Sequence, residues 1–146
     1  MAFRTMVATE KTLLRRGLGK AYQEQIVDML ERGVARRVSE MELAAFKGPI
    51  NYLPHLAALN PNSESIPLRI CFDASRSQGG APSLNQILAK GPDKFLNNLA
   101  GVIVNFRNGR YAAKGDVRKM YNCIYLTEDD AYMQCFMWRD LDLSRD

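Results

Sequence analysis

The dipeptide Gly48-Pro49 constrains this chain more than any other feature, because the apolar pattern changes period there. Upstream, in "KAYQEQIVDMLER" at residues 20–32, Tyr22, Ile26, Met29 and Leu30 recur at helical spacing. Gly33 ends or interrupts that helix. Ser39 followed by Glu42 has the pattern of a capping box before "LAAF", which predicts a second short helix. Downstream of the break, "INYLPHLAAL" reads as extended chain, and Pro54 bars it from a central ladder position. "NPNSES" is a turn cluster, and "PLRICFDAS" is a second short apolar run. Together they predict a hairpin of residues 50–59 with 67–73.

Beyond the loop "RSQGGAPS", Ser83 can cap a short helix, "LNQILAK", and Asp93 the next. Residues 94–107 place Phe95, Leu99, Val102, Ile103 and Phe106 on one face, which predicts a core helix. "RYAAKGD" predicts a strand arriving at Asp116, "VRKMYNCIYL" is open between turn and helix, and "AYMQCFMW" predicts another strand. Helices, hairpin, helices, strand and strand in that order make an α+β chain. At 146 residues it is long enough to bury one core.

Composition narrows the chemistry. The only histidine is His55, the three cysteines (Cys71, Cys123, Cys135) are scattered, and no CxxC occurs, which argues against zinc. His55 beside Pro54 in an apolar stretch is expected to pack or bond to backbone rather than to serve a nucleophile. The net charge of +4 permits a nucleic-acid partner without demanding one. Arg32, Arg36 and Arg37 read as a solvated face rather than a phosphate clamp. No apolar run reaches membrane length, and the start lacks the apolar core of a secretory signal. With cysteines that read as reduced, the expectation is an intracellular protein, cytoplasmic or nuclear.

Two acidic clusters compete for attention. Thr127-Glu128-Asp129-Asp130 looks like a metal site, but Thr127 with Asp130 three residues on has the pattern of a capped helical turn. In a strand, Asp129 and Asp130 would face opposite sides. A solvated turn is therefore expected. Asp116 is different. It follows the small-residue run "AAKG", flanked by Lys114, Arg118 and Lys119, where a strand gives way to a turn. A sheet holds a carboxylate rigidly at such a point. Spacing alone leaves Asp116 open between a surface acid and a catalytic one.

From about Glu31 to Trp138, the chain resembles the reverse transcriptase of BEL/Pao-type LTR retrotransposons. The residues that carry the resemblance are "ERGVARRVSEMEL", "NYLPHLAAL", "LRICFDAS", "SLNQILAKGP", "FR" at 106–107, "GDVRKMY" and "CFMW", in order and at fitting spacing. The resemblance implies the fingers and partial palm of a right-hand polymerase. Residues 1–48 would be an N-terminal helical segment, 49–109 a fingers-like hairpin with core helices, and 110–146 an incomplete palm sheet. Asp116 would then be the catalytic carboxylate that holds two Mg²⁺ ions, with the Val117 carbonyl completing one shell. Arg69 would contact the triphosphate, backbone N–H groups near Lys119 and Met120 would face it, and Tyr121 would be the ring that excludes a ribose 2′-hydroxyl. Asp73 matches an acid with a structural role. The implied partners are an RNA/DNA template-primer, deoxynucleotides and the remainder of a polyprotein.

This chain departs from the family pattern in three places. His55-Leu56 stands where the family usually has paired histidines, and "KGD" where an apolar or small residue usually precedes the aspartate. The Tyr-x-Asp-Asp motif that supplies the other palm carboxylates is absent, and "YLTEDD" only imitates it. A two-ion site needs more than one protein carboxylate. The chain alone is accordingly expected to be inactive, with its Asp116 strand at an exposed, aggregation-prone sheet edge. The alternative is a non-catalytic nucleic-acid-binding remnant, using Arg69, Lys114, Arg118 and Lys119 on phosphates, or a decayed pseudogene product.

Overall fold

The computed structural model describes residues 2–60, 68–77, 79–89, 91, 97–117 and 119–145. They form two compact units, one of Met1–Ile87 with Tyr125–Asp146 and a smaller one of Leu88–Ile124. Among the described residues the chain is α+β, with six α-helices and one two-stranded antiparallel sheet. None of the helices is long and apolar enough to cross a membrane.

In the larger unit, α1 (Ala2–Arg15) and α2 (Gly19–Glu31) are joined by a tight turn. Gly17 at φ +67° permits the turn, and the Leu18 N–H closes it on the Leu13 carbonyl at 2.9 Å. Gly33, also at φ +67°, ends α2 in the same way, with the Val34 N–H on the Met29 carbonyl at 2.9 Å. The short α3 (Glu40–Ala45) carries the expected capping box: Ser39 Oγ accepts from the Glu42 N–H at 3.2 Å, and Glu42 Oε2 accepts from the Ser39 N–H at 2.8 Å. Such a cap is worth about 1 kcal/mol.

The expected hairpin is present but shorter, since residues 50–54 stay outside its ladder. Strand β1 (His55–Leu59) pairs antiparallel with β2 (Leu68–Phe72), and His55 faces Phe72 while Leu59 faces Leu68. Apart from Asn60, the expected "NPNSES" turn lies outside the described residues. Leu13, Tyr22, Ile26 and Leu68 form the core, and Leu18, Leu30, Ala57, Ile70, Phe136 and Trp138 pack against it. Burying each large apolar side chain contributes about 1.5–3 kcal/mol.

The C-terminal segment closes this core, though not as the expected strand. "AYMQCFMW" begins at the end of α6 (Glu128–Ala131), passes through a 3₁₀ turn at Tyr132–Gln134 and then runs extended. A parallel bridge between Tyr52 and Cys135 joins it to the stretch before β1, with the Leu53 N–H on the Cys135 carbonyl at 2.7 Å and the Asn51 N–H on the Tyr132 carbonyl at 3.0 Å. Pro54 has no N–H with which to extend a ladder. Side chains take over instead. Asn51 Nδ2 donates to the Met133 carbonyl at 3.1 Å, and Phe46 stacks on Tyr132 at 3.9 Å.

His55 binds three elements together, in the packing and backbone-bonding role expected of it. Its ring is buried among Tyr22, Phe72, Phe136 and Trp138. Nε2 lies 2.9 Å from the Met137 carbonyl, which can only accept, so Nε2 carries the proton. Nδ1 is then the acceptor of the Tyr22 hydroxyl at 2.6 Å. Burial lowers the His55 pKa, and the Met137 bond and the Glu10 charge only partly oppose it. Burial likewise raises the Tyr22 pKa and keeps its phenol protonated.

A second buried contact runs from α1 to the same C-terminal segment. Glu10 is fully buried on α1, and Arg139 Nε reaches its Oε2 at 2.9 Å. Glu10 Oε1 has no hydrogen-bond partner. The sequence pattern did not reveal α1, because its inward stripe reads Met6, Glu10, Leu13, with a charge where an apolar residue would mark the face.

Other expectations change in the smaller unit. Helix α5 runs Leu99–Asn108, capped by Asn98, whose Oδ1 accepts from the Gly101 N–H at 3.2 Å. It is not a core helix: Leu99, Val102, Ile103 and Phe106 are 44–70% exposed. A periodic apolar face shows which side a cover would take, but does not supply the cover. Asp93 and Phe95 lie outside the described residues. No strand leads to Asp116, since residues 112–117 make no ladder and are exposed. A single extended stretch of small residues has nothing to pair with and no bulk to bury.

Two stability predictions follow from the buried pair and the buried ring. Arg139→Met strands the Glu10 charge and is expected to cost about 3–5 kcal/mol in urea unfolding, whereas adding Glu10→Leu recovers most of the loss. His55 is neutral when folded and has a lowered pKa, so the unfolded chain takes up its proton first. Its contribution to stability is therefore complete above about pH 6.5 and falls as the pH drops below that. Thermal midpoints measured between about pH 7 and 5.5 should decline in the parent and stay flat in His55→Gln, since no other histidine titrates there.

Candidate functional site

On β2, burial alternates. Leu68 points inward, and Arg69 stands on the outer face opposite Ala58. The small Ala58 leaves the guanidinium unobstructed. Arg69 makes no ion pair with any described carboxylate. Asp73, just past β2, is held within its own turn. Its Oδ1 accepts from the Ser75 hydroxyl at 2.6 Å and the Ser75 N–H at 3.1 Å, and these bonds lower its pKa. The Asp73 N–H also donates to the Pro54 carbonyl at 2.8 Å, pinning the end of the hairpin.

Asp116, Val117, Lys119, Met120 and Tyr121 belong to the smaller unit. Asp116 is exposed in a stretch without ladder bonds, and Val117 is exposed beside it. Arg118 lies outside the described residues. Lys119 adopts a left-handed backbone at φ 53° and leads into a 3₁₀ turn, Met120–Cys123, where the Tyr121 ring is 82% exposed. Among the described residues, no three His, Cys, Asp or Glu side chains gather where they could hold a metal ion. One exposed carboxylate does not fit the needs of a two-ion centre. Asp129 and Asp130 do not fit one either. Thr127 Oγ1 accepts from the Asp130 N–H at 3.2 Å and its hydroxyl donates to Asp130 Oδ2 at 2.7 Å, which makes the capped turn the sequence suggests.

The arginines of the larger unit divide into two kinds. Arg32, Arg36 and Arg37 meet Asp28, Glu42 and Asp140 at 3.4, 2.8 and 2.8 Å. They form the solvated face expected of them. Arg4, Arg16 and Arg76 meet no described carboxylate as an ion pair, and together they edge a groove of about 570 Å³ between α1, β1 and the loop after β2. Leu13, Leu18, Leu56 and Ala57 line its apolar part. Sequence reasoning passed over this groove. The available signal was the four-residue recurrence of Arg4, Ala8, Thr12 and Arg16, which becomes visible only once α1 is known to be a helix.

Against family models, curated proteins and solved structures alike, this chain finds no match.

Because Arg69 is exposed and makes no ion pair with a described carboxylate, Arg69→Gln is expected to leave the stability to urea unchanged to within about 0.5 kcal/mol. Any role of Arg69 should therefore be measurable by binding without a folding artefact.

Proposed function

We propose that this chain is the fingers and partial palm of a reverse transcriptase of the BEL/Pao type, and that it is inactive alone. The ordered set of motifs from Glu31 to Trp138 supports this reading. So does the hairpin, which presents Arg69 outward and unpaired with any described carboxylate, as a contact for a triphosphate requires. In the complete enzyme the partners are a template-primer and deoxynucleotides. Asp116 supplies one of the carboxylates for Mg²⁺, and other palm residues supply the rest. The Tyr121 ring, being exposed, is open to an incoming sugar.

A non-catalytic nucleic-acid-binding remnant is the second reading. The exposed Arg69 and Lys114 favour it. Primer extension on an RNA template with Mg²⁺ should give no product from the purified chain. Extension that vanishes in Asp116→Asn would overturn the inactivity. A transcript that continues past the Asp146 codon into a Tyr-x-Asp-Asp hairpin supports the polymerase reading; a stop codon there, with no second carboxylate motif in frame, supports the remnant.

A further inference from the structure

The outer surface of α1 carries charge of one sign. Arg4, Lys11, Arg15, Arg16 and, just beyond, Lys20 make no ion pair with any described carboxylate. The one acid on the helix, Glu10, is turned inward onto Arg139. Arg4 and Arg16 are twelve residues apart on one ridge, about 18 Å along the axis, and still in helical register because the Arg16 N–H bonds the Thr12 carbonyl. That span is too long for one phosphate or one carboxylate to bridge. Arg76 joins them from the loop after β2, where it faces the Asp73 carboxylate, which is itself occupied by Ser75.

The groove has the marks of recognition by charge. Among the described residues, no acidic side chain lines it. The Thr9 and Thr12 hydroxyls, which could donate to a ligand, donate instead to the His55 and Ala8 carbonyls at 3.1 and 2.9 Å. The three guanidiniums are therefore its ionic donors. Among the described residues no aromatic ring lines it to serve as a platform for stacked bases. We propose that this groove seats the phosphate backbone of a nucleic-acid strand without regard to sequence.

A strand offers a charge at every nucleotide, so guanidiniums spread along 18 Å find phosphates in any register. An acidic peptide would have to bring its carboxylates at matching intervals. An anionic bilayer is a poorer fit, because Met6 and Leu13, the apolar side of α1, are buried in the core and cannot insert. Arg4 and Arg16 lie outside the segment that carries the polymerase resemblance, so the inference stands independently of it.

The test is fluorescence anisotropy of the full chain with a labelled oligothymidylate of about 20 nucleotides, between about 50 and 200 mM salt. Each arginine that neutralises a phosphate adds about −0.7 to the slope of log K against log salt. The variant Arg4→Gln/Arg16→Gln/Arg76→Gln, shown by circular dichroism to be folded, should lose about 2 from that slope. Arg4→Gln/Arg16→Gln alone should lose about 1.4, and serves if the triple variant misfolds. An unchanged slope in either folded variant overturns the proposal. It is also overturned if polyglutamate of equal charge competes as well as the oligonucleotide, or if these variants lose binding only to phosphatidylserine vesicles. A slope lost in Arg69→Gln but kept in the groove variants moves the contact to the hairpin, which refutes the groove and leaves the polymerase reading untouched.

Discussion

One imidazole ring couples the parts of the larger unit. Through Nδ1 His55 accepts from Tyr22 on α2, and through Nε2 it donates to the Met137 carbonyl of the C-terminal segment, while its own backbone begins β1. A charged ring would keep the Met137 bond but would turn Nδ1 into a donor, so the Tyr22 hydroxyl could no longer donate to it. The neutral state is favoured by burial and suits the Tyr22 bond, while the Met137 carbonyl and the Glu10 charge partly oppose it. Because Tyr22 is fully buried and touches Trp138 at 5.2 Å, the hydrogen bond and the aromatic packing depend on the same placement. Removing either partner leaves a buried polar atom without a match, which costs about 1–3 kcal/mol.

The Trp138 end of the segment is fixed by a polar relay. Trp138 Nε1 donates to Gln23 Oε1 at 2.7 Å, Gln23 Nε2 donates to Asp140 Oδ1 at 3.0 Å, and Arg37 reaches both Asp140 oxygens at 3.0 and 2.8 Å. Asp140 and Leu141 follow at φ 59° and 61°, conformations that side-chain-bearing residues adopt only when held there. These contacts join residues more than a hundred positions apart. They explain why a stretch with the composition of a strand ends as a side-chain-anchored strap.

Local features were legible in the sequence. The Ser39 capping box, the Gly33 helix end, the Thr127 cap and the hairpin all depend on a few neighbouring residues, and each formed as expected. His55 was legible too, since a lone histidine beside a proline in an apolar run has few alternatives. What failed depended on distant partners. Glu10 hid α1, because the residue that makes its burial tolerable, Arg139, is 129 positions away. The stretch before Asp116 was expected to be a strand on its residues alone, but a strand exists only through its neighbour. The apolar side of α5 was read correctly as a face and wrongly as buried. Arg69 and Asp116 were singled out from the sequence and lie in different units, whereas the Arg4–Arg16–Arg76 groove required a helix that the pattern concealed.

The buried Glu10–Arg139 pair also shapes the surface. A buried ion pair is weak evidence for stability, because desolvating both partners offsets much of their attraction. Here it has a second consequence. By drawing the only acid of α1 inside, it leaves the exterior of that helix with arginine and lysine alone. The contrast with α2 is direct: Asp28 sits on the outer side of that helix and pairs with Arg32, so charge is locally cancelled. An α1 with Glu10 outward would screen its own basic residues in the manner of an i,i+4 pair. The core contact and the one-signed charge on the exterior of α1 therefore have one cause, the direction in which a single glutamate points.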